Sequence, residues 1–115
     1  MSVELIQRLF HAVDNSGWAA MQEIFDKDVV YERPGYEPFE GLERVLHFYK
    51  HERVLASGKH CIDQIVVDGD YCACWGQFIG FRKDNAPVDV LFADVYYVDK
   101  GKIKKRRSYF FQPSV

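Results

Sequence analysis

Apolar residues recur at Val3, Ile6, Leu9, Phe10 and Val13. That spacing lays one greasy stripe along a helix. Asp14-Asn15-Ser16-Gly17 ends it with turn formers and a glycine. A second helix is predicted from Trp18 to about Phe25, with Trp18, Met21, Ile24 and Phe25 on one face and Asp26-Lys27-Asp28 as its break. Val29 to Glu32 reads as a short strand, closed by Pro34-Gly35 and Pro38. A third helix is predicted from Gly41-Leu42 to about Leu55, burying Leu42, Val45, Leu46, Phe48 and Tyr49, and stopped by Ser57-Gly58.

Beyond Gly58 the apolar period changes from helical to two. Strands are predicted over His60 to Val67, Tyr71 to Arg82, Val88 to Val98 and Lys102 to Gln112. Asp68-Gly69 and Asp99-Lys100-Gly101 are the hairpin turns, with glycine where positive φ is needed. The order is α-α-β-α-β-β-β-β. An α+β class follows: a curved antiparallel sheet wrapped around three N-terminal helices, one domain over residues 1–115. Long twisted strands curling around the helices should leave a conical cavity.

Composition narrows the chemistry. The chain has 115 residues and a formal net charge of -2, so no basic excess points to nucleic acid. Lys102-Ile103-Lys104-Lys105-Arg106-Arg107 is a charge run, but on a strand its charges divide between two faces. Aromatics reach 16%, which suggests a large core or an aromatic-lined pocket. Cys61, Cys72 and Cys74 lack the C-x-x-C spacing of a zinc or redox motif and read as free thiols. With no basic leader before an apolar run and no apolar stretch of about 18 residues, neither secretion nor membrane insertion is expected, and a cytoplasmic location fits. His47 and His51 stand at i, i+4, yet no third ligand is in view, so neither metal nor cofactor is expected.

Four stretches, in order, carry a family resemblance. They are Asn15-Ser16-Gly17-Trp18, the Leu42-to-Tyr49 helix after Pro38-x-x-Gly41, the His60 to Asp70 hairpin, and Asp94 to Ile103. Together they resemble the nuclear transport factor 2-like superfamily, and within it the SnoaL-like polyketide cyclases and ketosteroid isomerases. The resemblance implies a cone-shaped fold, a homodimer and a pocket for a small hydrophobic molecule. In the isomerase, a tyrosine and a protonated aspartate form the oxyanion hole and a second aspartate is the base, a case the field uses for a carboxyl kept neutral in an apolar site. Carried onto this chain, Asp94 matches, whereas Leu9 stands at the tyrosine and Arg33 at the base. The isomerase mechanism therefore does not transfer whole.

The Asp99-Lys100-Gly101 turn suggests a register. If Val98 pairs with Lys102, Tyr96 faces Lys104, Asp94 faces Arg106 and Phe92 faces Ser108. The resemblance points Asp94 into the cone, and Arg106 then enters as its ion-pair partner. A one-residue slip would flip Arg106 outward. Candidate catalytic residues are thus Asp94 as acid or base, Arg106 as its tuner, and His60, which opens a strand near a position where SnoaL-like sequences often carry histidine. Candidate pocket residues are Tyr31, Arg33, Trp75, Gln77, Tyr96 and Phe110. Phe78, Val95, Tyr97, Tyr109 and Phe111 are assigned to the outer sheet face, as a dimer surface. The expected function is cofactor-free acid–base chemistry on a hydrophobic cyclic or polyketide-like molecule. A non-catalytic ligand-binding or dimerisation module of the same fold is the alternative.

Overall fold

The computed structural model describes residues 2–112. Helix α1 (Ser2–Asp14) buries Leu5, Ile6, Leu9, Phe10, Ala12 and Val13, the stripe its spacing predicts. The chain reverses through Ser16 at φ 55, and the Asn15 amide donates to the His11 carbonyl at 2.8 Å. Helix α2 (Trp18–Ile24) then stops at Phe25, which is already extended. Strand β1 (Phe25–Glu32) therefore starts earlier than the sequence suggests. Asp26-Lys27-Asp28 lies inside this strand, and Phe25, Val29 and Tyr31 are its buried residues.

A two-residue strand β2 (Phe39–Glu40), not anticipated from the sequence, pairs antiparallel with β1. Helix α3 (Leu42–His47) is shorter than expected and widens into a π-helical turn over Phe48–Glu52. The Arg53 amide closes that turn on the Phe48 carbonyl at 2.9 Å, and the chain leaves it extended. Strand β3 (Leu55–Asp68) begins at once, so Ser57-Gly58 is a strand segment and not a helix stop.

Strands β3, β4 (Tyr71–Arg82), β5 (Pro87–Asp99) and β6 (Lys102–Phe110) form the antiparallel meander. Strand β1 adds to it in parallel alongside β6, giving the order β2-β1-β6-β5-β4-β3. The result is an α+β cone: an unclosed, curved, mostly antiparallel sheet with the helices in its concave side. The curl has a local cause. Strand β3 is irregular between Leu55 and Ser57 and between Ile62 and Gln64, opposite Arg82 to Phe81 and Gly76 to Trp75. At Gly76 a Cβ would stand 2.0 Å from the Cys61 carbonyl oxygen, so only a glycine lets the two backbones approach this closely.

Candidate functional site

The inward face of the meander is set by the register. Strand β5 turns Val88, Val90, Phe92, Asp94, Tyr96 and Val98 to the core. Cys74 lies directly opposite Asp94 on β4, so the even positions of β4 also point inward. Trp75 and Gln77, expected in the pocket, therefore lie on the outer face: Trp75 is exposed, and the Gln77 amide donates to Asp89. Phe78, expected outside, is buried inside at 2% exposure. The 83–86 turn, with Asn85 at φ 68 and the Arg82 amide donating to the Ala86 carbonyl at 2.8 Å, sets this parity; the sequence marks 83–87 only as a loop, and both misplacements follow from that.

The β5–β6 hairpin corrects a second expectation. Lys100 and Gly101 both have positive φ (53 and 78), so the loop is a two-residue turn with Asp99 opposite Lys102. Alone, that register would turn Arg106 outward. A bulge restores the face: Val98 pairs with Ile103 but Tyr97 with Lys105, leaving Lys104 as the extra residue. Asp94 ends opposite Ser108 and Arg106 opposite Tyr96, two residues from the simple reading. The same bulge buries Ile103, which an unbroken alternation would put outside.

Arg106 and Asp94 are almost wholly buried, at 4% and 1% exposure. Asp94 Oδ2 accepts from Arg106 Nε (3.1 Å), Arg106 Nη2 (2.9 Å) and the Tyr96 hydroxyl (2.7 Å). Arg106 Nη1 donates to the Tyr49 hydroxyl at 2.6 Å, and its guanidinium lies 4.6 Å from the centre of the Tyr31 ring. Arg33 Nη1 donates to the Tyr31 hydroxyl at 2.9 Å, which also shares a 2.8 Å hydrogen bond with Ser108. Burial alone would push the Tyr31 hydroxyl up, but Arg106 and Arg33 outweigh it and bring it below its usual value. Burial and then the Asp94 carboxylate hold the Tyr96 hydroxyl well above its usual value. Asp94 Oδ1 is buried and has no hydrogen-bond partner among the described residues.

His60 reaches the same place from β3. Its Nδ1 lies 2.5 Å from Asp14 Oδ1, and its backbone N–H donates to Asp14 Oδ2 at 3.0 Å. Asp14, read from the sequence only as a helix stop, thus holds His60 across 46 residues by two hydrogen bonds, one to the ring and one to its backbone N–H. With Nδ1 committed to a carboxylate, Nε2 is the nitrogen left for other chemistry. The ring packs against Phe10, Phe78 and Phe92, with centroids 4.7, 4.7 and 5.3 Å away. Burial among these rings pushes the His60 pKa below its ordinary 6.5, against the pull of Asp14.

Arg33, His60, Asp94, Arg106 and Phe110 all border one enclosed space, with Tyr49, Arg53 and Ser108. Tyr31 and Tyr96 stand behind them. The open conical hollow expected from the strand curl is instead nearly filled: about 10 Å³ remains free, roughly the room of one water. Outside it lies a cleft of about 300 Å³ between α1, the π-helical turn and the start of β3. The two spaces share Tyr49, Arg53 and Leu55 as their common wall. Asp14 and Arg53 escape a sequence reading because each lies at a helix end or turn, where periodicity gives no facing; Tyr49 reads from the sequence as a buried helix residue, but spacing does not mark it as part of the site. His47 and His51 are exposed on α3 and the π-helical turn, where Glu52 pairs with Arg44 and His47. No group of three or more metal-ligating side chains exists among the described residues.

The α+β cone is that of the nuclear transport factor 2-like class of fold. The profile of the SnoaL-like domain matches residues 6–106, and the chain belongs to that family. Among solved structures it is similar to a Jannaschia sp. CCS1 protein assigned as a SnoaL-like polyketide cyclase, with TM-score 0.85, 16% identity, and coverage of 95% of this chain and 84% of that one. It is also similar to a loop-truncated variant of IdmH (TM-score 0.83, 17% identity, 96% and 93% coverage). An LEH-like epoxide hydrolase of M. tuberculosis gives TM-score 0.81 at 20% identity, covering 93% of this chain and 80% of that one. At such identities the likeness concerns the fold. None of the curated proteins matches the chain.

Proposed function

We propose that this chain binds a small hydrophobic, ring-bearing molecule between the sheet and the π-helical turn and moves a proton on it. His60 Nε2 is the base, which returns the proton as the imidazolium, and Asp94 Oδ1 accepts a hydrogen bond from the ligand's hydroxyl or enol. The observation that carries this reading is Asp94 Oδ1, a buried carboxylate oxygen without a hydrogen-bond partner, on the same enclosed space as His60. A buried acceptor left unsatisfied costs about 1–3 kcal/mol, and a bound hydroxyl or enol removes that cost. Asp14 fixes the proton on Nδ1, so Nε2 offers its lone pair. Arg106 and Tyr96 occupy Oδ2 and leave Oδ1 for the ligand. Entry requires the shared wall to move, because the enclosed space holds no ring as it stands. The SnoaL-like membership and neighbours named as a cyclase and an epoxide hydrolase are in keeping with small-molecule chemistry.

The test needs no known substrate. Deuterium exchange at the α-carbon of cyclohex-2-enone and cyclic β-diketones in D2O is followed by proton NMR. The chain should speed exchange, and His60→Gln or Asp94→Asn should lose about 100-fold or more of that acceleration. If the unaltered chain never exceeds buffer catalysis across the panel, the catalytic reading fails. The second reading, a passive ligand-binding module, then stands; the near-filled interior and the Arg106-neutralised Asp94 favour it.

The outer sheet face belongs to the same proposal. Trp75 (43% exposed), Ile79 (50%), Leu91 (53%) and Tyr109 (48%) share it with Val95, and such a patch is costly on a monomer. A homodimer through this face is expected to sediment as a single dimeric species at micromolar concentration, and Leu91→Lys should shift it to monomer. Free thiols at Cys61, Cys72 and Cys74 are in keeping with a reducing, cytoplasmic setting.

A further inference from the structure

Arg53 stands in the wall between the enclosed space and the outer cleft. Its guanidinium lies 5.5 Å from the centre of the Tyr49 ring and 5.6 Å from that of Phe78. Its Nε is shut off from solvent and has no hydrogen-bond partner, and no carboxylate among the described residues forms an ion pair with it. The nearby acids are committed elsewhere: Asp94 to Arg106 and Asp14 to His60. Burial pushes the Arg53 pKa down, and the Arg33 and Arg106 guanidiniums push it further. Arg53 is half-buried; a cation partly withdrawn from water without a counter-charge carries a cost, and an arriving anion relieves it. The planar guanidinium fork fits a carboxylate with two parallel hydrogen bonds. Lys50 and Lys83 on the same cleft give the approach a cationic rim.

We infer that Arg53 anchors an acidic group of the ligand, which makes the ligand a small organic anion: a ring bearing a carboxylate. The inference rests on the enclosed space being the ligand site. The carboxylate pairs with Arg53 at the mouth, and the ring lies inward against Phe78, Phe92 and His60. As Arg53 swings toward the cleft to meet the anion, the wall it forms opens and joins the two spaces.

Benzoate and its neutral isostere benzamide are the probes, titrated into the full chain while the His60 imidazole resonances are followed by NMR. Benzoate should shift them saturably. Benzamide should bind at least about tenfold more weakly, Arg53→Gln should weaken benzoate at least about tenfold, and Arg53→Lys should fall between. Arg53→Gln should melt no lower than the unaltered chain, since it removes a half-buried charge that has no counter-charge; a merely structural arginine would show the opposite. Equal binding of benzoate and benzamide, or of benzoate to both chains, overturns the anion anchor and leaves the ligand site standing. If neither probe reaches His60 in either chain, the anchor and the ligand-site reading fall together.

Discussion

Arg106 holds Asp94 along a diagonal of the β5–β6 ladder: each is paired with another residue, Tyr96 and Ser108, yet Nη2 and Oδ2 lie 2.9 Å apart. Two buried charges are paired in this way through Nε and Nη2 on one carboxylate oxygen, contacts that no straight cross-strand pairing supplies. Arg106→Met leaves Asp94 as an uncompensated buried anion and should cost about 3–5 kcal/mol in urea unfolding. The double change Arg106→Met with Asp94→Asn should recover part of that loss. Strict additivity of the two single changes would show that the pair is not coupled.

His60 predicts a dependence of stability on pH. Burial lowers its pKa in the folded chain below the ordinary 6.5. The unfolded chain therefore takes up the proton first as pH falls. Stability from this group is fully present above about pH 6.5 and declines below it. Urea midpoints measured from pH 7.5 to 5.5 should fall more steeply for the unaltered chain than for His60→Gln. Parallel slopes would remove His60 as the titrating group.

Gly76 tests the origin of the curl. A methyl group there meets the Cys61 carbonyl oxygen at 2.0 Å, which is backbone and cannot rotate away. Gly76→Ala should destabilise by about 1–3 kcal/mol through overpacking, read as a lowered melting temperature. An unchanged melting temperature would mean that β3 and β4 can part without loss.

The cysteines should separate by reactivity. Cys61 is exposed, whereas burial pushes the Cys74 thiol up to about 12. With Ellman's reagent at pH 8, Cys61 should react promptly in the folded chain, and Cys72 and Cys74 only after denaturation. Loss of the fast phase in Cys61→Ser checks the assignment.

Much of this architecture is legible in residue spacing. The α1 stripe and the meander strands stand where apolar period and turn residues place them, except that β3 starts at Leu55 and not at His60. The π-helical turn is not legible, because Phe48 to Glu52 continues a helical pattern and only the interior packing of Phe48 and Tyr49 sets its width. Arg106 faces Asp94's side of the sheet for a reason the sequence alone does not reveal. A tighter turn reverses the parity and the Lys104 bulge reverses it again. Trp75 and Gln77 face outward because β4's facing is set by its pairing with β5 across the 83–86 turn, whose register residue spacing does not reveal. Asp14 illustrates a further limit: a helix-terminating residue and a histidine-orienting one look alike until β3 folds over α1.

Strand β6 lies between β1 and β5, and it brings Arg106 and Ser108 to partners as far as 77 residues away. A growing chain that has not yet emerged through this strand has a split sheet, a bare Asp94 and an unmatched Tyr31. Assembly of the scaffold and assembly of the charge cluster are consequently one event. Slow folding, expected for such distant pairings, leaves Asp94 and its aromatic neighbours open to water until β6 docks, so partly folded chains should be captured by chaperones.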